Sequence, residues 1–198
     1  MNKLVYSVGF NDKTRPTWVD GKNVKEYNLW LNMLKRCFNE KEQTRFPTYK
    51  GCSVSDNFLC YSFFYDWCHK QTGFGNIDDK GRSWCLDKDL LLVGNKTYSE
   101  TSCVFVPQEI NLFFIDSGNA RGDYPLGVSF HKASVKFVAH CAVNSKQQHL
   151  GLFNTQQEAF AVYKPFKENL CKQLALKWQS EIDERLFNTM MNWSVKDE

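Results

Sequence analysis

Apolar residues recur through VKEYNLWLNMLKRCFNEKE (24–42) at Tyr27, Trp30, Leu31, Leu34 and Phe38. That i, i+3, i+4, i+7 spacing predicts an amphipathic helix. Lys35 and Arg36 fall together off the stripe, on what reads as a solvated edge, with phosphate contact as the lesser alternative. TRFPTYKGCSVSDNF is a loop punctuated by Pro47 and Gly51. Ser55 or Asp56 then caps a predicted core helix through FLCYSFFYDWCHKQTG, ending near Gly73 with His69 at its end. SWCLDKDLLL reads as a strand, VGNKTYSETS as a loop, and CVFVPQEINLFF as a strand entering a short helix at Pro107. Gly, Asp, Asn and Ser dominate IDSGNARGDYP, which marks a linker. Beyond it LGVSFHK, KFVAHCAV and QQHLGLF predict three short strands. A helix follows over TQQEAFAVYKPFKENLCKQLALKW, opened by a capping box of Thr155 and Glu158. Pro165 is expected to kink or interrupt it. SEIDERLFNTMMNW reads as a last amphipathic helix, able to pack on the chain itself or on a protein partner.

The domain reading is therefore 1–115, a linker at 116–123, a sheet-plus-helix domain at 124–178 and a C-terminal helix at 179–198. The class is α+β.

Composition adds limits. No apolar run among the 198 residues approaches the ~18 of a membrane-spanning helix. The first residues, MNKLVYSVGFNDK, lack the apolar core of a signal peptide, so a cytoplasmic protein with no membrane partner is expected. Eight cysteines are spread singly with no C-x-x-C, which favours free thiols over zinc or disulfides. The formal charge of +3 is uneven: +2 over 1–115, +4 over 116–178 and −3 over 179–198. The middle segment is the part suited to meeting phosphates.

Two stretches carry resemblances. GVSFHKASVKFVAHCAV with HLGLFNTQQEAFAVY resembles the plant ethylene-response-factor type of DNA-binding domain. The matching positions are Gly127, Val128, Phe137, Ala139, Leu150, Gly151, Phe153, Thr155, Glu158, Ala159 and Tyr163. The resemblance implies three antiparallel strands on one helix, with the open sheet face in the major groove of double-stranded DNA. Its reading positions here are Ser129, His131, His140, Ala142, Gln147 and His149, with Lys132, Lys136 and Lys146 near the turns. The family face is rich in arginine and tryptophan, whereas this one offers His, Ser and Gln. Phosphate-led, weakly sequence-selective binding is the expectation.

LDKDLLLVGNKTYSETSCVFVPQEIN resembles the His-Asn-His core of phage homing and nicking endonucleases. The resemblance places Asp87 and Asn111 as ligands of Mg²⁺ or Mn²⁺, hard ions suited to oxygen donors. A phage or mobile-element origin follows from the pairing of the two resemblances. Lys88 stands where the family has its histidine base, and Ser102 where an asparagine orients that base. Lysine, with an ordinary pKa of about 10.4, is protonated at neutral pH and poorly suited to take a proton from water. Three readings stay open. One is a metal-dependent DNA endonuclease in which Asp87 keeps the family's place and Lys88 acts in an altered role, contacting the phosphate, with water activated by the metal. Another is a non-catalytic DNA-binding or interaction protein built on the same frame. The last is a solvated strand end.

Overall fold

The computed structural model describes residues 4–115, 123–143 and 146–196, and it is a mixed α+β structure. Its contacts divide into two compact units, Met1–Asn111 with Ser180–Leu186, and Leu112–Gln179 with Phe187–Glu198. The linker read at 116–123 lies, apart from Asp123, outside the described residues.

The first unit opens with a small hairpin, β1 (Trp18–Val19) and β2 (Lys22–Asn23), which leads into α1 (Lys25–Phe38). The buried face of α1 carries Trp30, Met33, Leu34 and Cys37, while Phe38 is exposed. The stripe is thus rotated from the expected one, with Met33 and Cys37 replacing Leu31 and Phe38 at its centre. The helix also ends earlier than expected. Asn39 leaves helical geometry and its side chain accepts from the Glu42 amide at 2.9 Å, starting a separate α2 (Glu40–Arg45).

Ser55 caps the next helix, accepting from the Phe58 amide at 3.4 Å. The expected single helix is two, α3 (Asp56–Leu59) and α4 (Tyr61–Cys68). The break has a distant cause. Phe10 donates its amide to the Leu59 carbonyl at 2.8 Å and accepts from the Tyr61 amide at 2.9 Å. Those groups are lost to the helix ladder at Cys60. Trp30, Phe58, Tyr61, Phe64 and Phe105 form a fully buried aromatic core, and the Trp30 indole donates to the Phe58 carbonyl at 2.8 Å. Burying such rings is the main favourable term available to this unit.

Two further strand pairs sit on this core. β3 (Ser53–Val54) runs parallel to β5 (Thr97–Tyr98). β4 (Cys85–Asp87) runs antiparallel to β6 (Val104–Val106), with Asp87 opposite Val104. Pro107 then leads into α5 (Gln108–Phe113). In chain order β4 is followed by a loop that holds β5, then by β6 and α5.

The second unit is built on an antiparallel sheet of β7 (Val128–His131), β8 (Lys136–Val143) and β9 (Lys146–Phe153) in that order. α6 (Gln156–Trp178) packs on it. Val128, Ala139 and Cys141 on the sheet meet Ala159 and Tyr163 on the helix. The capping box forms as read: Thr155 accepts from the Glu158 amide at 3.2 Å, and the Glu158 carboxylate accepts from the Thr155 amide at 3.2 Å.

Pro165 does not interrupt α6, which is one helix of 23 residues. Proline frees the carbonyl four residues earlier. That carbonyl belongs to Ala161, and both Ala161 and Pro165 are exposed, so water can satisfy it. The last helix, α7 (Glu184–Met191), buries Leu186 and Met190. The Cys171 thiol on α6 donates to the Met190 carbonyl at 3.5 Å, so this part of the tail is covered by its own chain.

Candidate nucleic-acid interface and the Asp87 loop

Strand alternation sends successive side chains to opposite faces. In β8, Ala139 and Cys141 are buried against α6, and His140 between them points the other way. Cross-strand partners share a face, so the pairs carry this assignment across the sheet. His140 pairs with His149, Ala142 with Gln147, Ser129 with Val138, and His131 with Lys136. The structure therefore brings Ser129, His131, His140, Ala142, Gln147 and His149 onto one open face. A register shift between Ala139 and His140 keeps Leu150 in contact with the core while His149 stays outside.

Lys132, Lys136 and Lys146 are all exposed. Lys132 lies in the β7–β8 turn, Lys136 at the start of β8 and Lys146 at the start of β9. The turn is held by the His131 ring, whose Nδ1 lies 2.8 Å from the Ser134 hydroxyl. Val138 and Leu152 add an apolar strip to the same face.

The Asp87 loop is organised differently. Asp87 Oδ1 accepts from the amides of Asp89 and Leu90, each at 2.9 Å. Burial and then the neighbouring charge of Asp89 push the Asp87 carboxyl up to about 6. Lys88 is buried, with its Nζ 2.9 Å from Asp89 Oδ2 and 5.6 Å from the Tyr98 ring centroid. Burial alone would lower the Lys88 ammonium, but the hydrogen bond and charge of Asp89 outweigh it and leave the group above its ordinary value. Lys88 is thus a fixed positive charge inside the loop rather than a proton acceptor.

Asn95, within the stretch VGNKTYSETS that the pattern marks only as a loop, closes it. Its amide nitrogen donates to the Lys88 carbonyl at 2.6 Å and the Thr97 carbonyl at 2.7 Å. Ser102 is buried, and its hydroxyl donates to the Thr97 carbonyl at 2.8 Å. Ser102 therefore braces backbone. Asn111 lies in α5, one turn beyond Gln108, and no hydrogen bond links it to Asp87 among the described residues. His69 caps the end of α4 and lies 2.7 Å from Glu26, as a helix-terminal residue would. All eight cysteines are free thiols.

An ionised Asp87 works against the fold. The native state holds its proton more tightly than the unfolded chain, whose carboxyl ionises near 3.8. Stability from this group is therefore lost as pH rises from about 4 through about 6. Asp87→Asn keeps an oxygen for both amides and removes the charge. It is expected to stabilise the protein at pH 7 by on the order of 2 kcal/mol, with the gain vanishing by about pH 4. Urea melts of both proteins across that range check it.

No family model, curated protein or solved structure matches this chain. No helix among the described residues is long and apolar enough to cross a membrane.

Proposed function

We propose that this chain binds double-stranded DNA through the open face of the β7–β8–β9 sheet. The supporting observation is the sorting of side chains on that sheet. Every position of hydrogen-bonding character on β8 and its partners that the resemblance assigns to reading is outward, while Val128, Ala139 and Cys141 are inward. Exposed Lys136 lies on this face opposite His131, exposed Lys132 follows in the β7–β8 turn, and exposed Lys146 starts β9 at its edge, paired with Val143. Lysine contacts phosphate as a point charge and supplies affinity without sequence information. Histidine, serine and glutamine on the face lack the bidentate grip of arginine on guanine. Binding is therefore led by phosphate, with weak discrimination among sequences. Fluorescence anisotropy on labelled duplexes of several unrelated sequences tests this. Affinities within about tenfold of one another are expected. One sequence standing out by a factor of ~1000, the low end of specific-site ratios, contradicts it.

A second reading, metal-dependent cleavage or nicking of the bound duplex, is favoured by one specific feature. Asp87 is a crowded carboxylate that resists ionisation, set at the end of β4, the strand that pairs with β6 ahead of α5. Perturbed acids of this kind concentrate at functional sites. Carboxylate and amide oxygens are the donor type that Mg²⁺ or Mn²⁺ prefers, so Asp87 and Asn111 fit in kind. Such an ion would polarise the scissile phosphate. The protein's own contribution is the positive charge of Lys88, held on Asp89 beneath the loop. Supercoiled plasmid incubated with the protein and Mg²⁺ or Mn²⁺ decides this reading. Nicked circles are expected with the wild type, and none with Asp87→Ala. Duplex binding with no cleavage under either ion leaves a DNA-binding protein without nuclease activity.

A further inference from the structure

The first unit holds a cation that the sheet face does not use. Arg36 was read as a solvated edge of α1, but the structure turns it inward. Its guanidinium lies over the Tyr49 ring, 5.3 Å from the centroid, and its Nη1 donates to the Tyr98 hydroxyl at 3.4 Å, a long hydrogen bond. Arg15, Arg82 and Arg185 each sit on a carboxylate, those of Asp66, Asp78 and Asp183, at 2.7, 2.6 and 2.9 Å. The half-buried Arg36 pairs with none among the described residues. A charge withdrawn from water without a counter-charge costs free energy that an anionic ligand recovers.

Arg36 also lines an open cleft of about 180 Å³. Met33, Trp84 and Leu86 give it apolar walls. Asn32, one helical turn before Arg36, places a side-chain amide on its rim. Leu29 and Cys85 complete the lining, and the Cys85 thiol donates to the Gln108 side-chain oxygen at 2.9 Å. Burial holds that thiol above its ordinary value, so it brings no negative charge to the cleft. The volume decides the size of the guest. A cleft of this size has room for a group as small as phosphate. It falls short of the ~300 Å³ at which sites for larger organic ligands begin.

We infer that the cleft between α1 and β4 is a phosphate subsite, with the Arg36 guanidinium donating to two phosphate oxygens and the Asn32 amide to a third. A planar guanidinium matches phosphate geometry through paired N–H groups, which a lysine could not reproduce. The subsite does not depend on the sheet reading. Its guest is either free phosphate or one phosphate of a nucleic-acid strand, and the chemistry is the same.

The test uses the full chain and follows the arginine Nε–H signals by NMR while inorganic phosphate replaces chloride at constant ionic strength. A saturable shift of the Arg36 signal in the millimolar range is expected. Arg36→Gln should weaken phosphate binding about tenfold or more, the cost of a charge-assisted contact. Arg36→Lys should recover only part of it, and Asn32→Ala should weaken it by a few fold. A short duplex in place of phosphate distinguishes the source. A shifted Arg36 signal assigns a nucleic-acid phosphate, and an unmoved one assigns free phosphate. An Arg36 signal that ignores inorganic phosphate in the wild type overturns the proposal. So does unchanged phosphate binding by a folded Arg36→Gln. The wild-type titration stands even if the variants do not fold, and it is read independently of whether the sheet binds DNA.

Discussion

Gly127→Ala is expected to unfold the sheet-and-helix unit or leave it marginal. Gly127 sits at φ +77°, a left-handed conformation, at the entry to β7. A Cβ added there would run into the ring of Tyr163, which is buried at the centre of the α6 contact. Two penalties add. Left-handed backbone costs an L-residue roughly 1–2 kcal/mol. Overpacking a well-filled core costs about 1–3 kcal/mol more. Their sum, roughly 2–5 kcal/mol, is a large share of the ~5–15 kcal/mol that holds a typical domain together. The proposed DNA binding would be lost with it, because the Gly127 carbonyl accepts from the His140 amide at 2.9 Å and so fixes the strand that carries His140. Gly21→Ala is the control. Gly21 has the same φ of +77°, but nothing lies within 4 Å of its added Cβ. It should cost only the backbone penalty, roughly 1–2 kcal/mol. Urea melts separate the two outcomes, and equal losses in both variants would show that contact with Tyr163 does not matter.

Neutralising Lys132, Lys136 and Lys146 together is expected to flatten the salt dependence of duplex binding. Each phosphate contact contributes about 0.9 to the slope of log affinity against log salt, so three contacts account for roughly 2.7. Anisotropy titrations over a range of salt measure that slope. A control variant with Lys13, Lys22 and Lys41 neutralised, all exposed in the first unit, should keep the wild-type slope. Parallel lines for wild type and the Lys132, Lys136 and Lys146 variant would remove those residues from the interface.

The sheet-and-helix unit was legible because its signals are local. Alternation over KFVAHCAV and the Thr155–Glu158 box each specify an element from a few adjacent residues, and β8 spans that stretch, Lys136–Val143. The first unit was less legible because its decisive contacts are distant in sequence. Nothing near Cys60 announces that Phe10 will take the hydrogen bonds of Leu59 and Tyr61. Arg36 looked solvated on a helical wheel, yet Tyr49 and Tyr98 fold over it from other elements. A solvated strand end was one of three readings of the DKD run, and the burial of Lys88 follows from Tyr98 beside it and from Asn95 closing the loop. The one available hint was Asn95 itself, since asparagine after glycine commonly braces a turn through its side chain.

The central claim is that the uncovered side of the β7–β8–β9 sheet lies against a duplex. Backbone amide shifts of the labelled full chain, recorded while a short duplex is added at low ionic strength, test it most directly. The account predicts the largest changes at Ser129, His131, His140, Ala142, Gln147 and His149, with α6 little affected. A spectrum that does not respond to the duplex, or changes confined to the first unit, would contradict it.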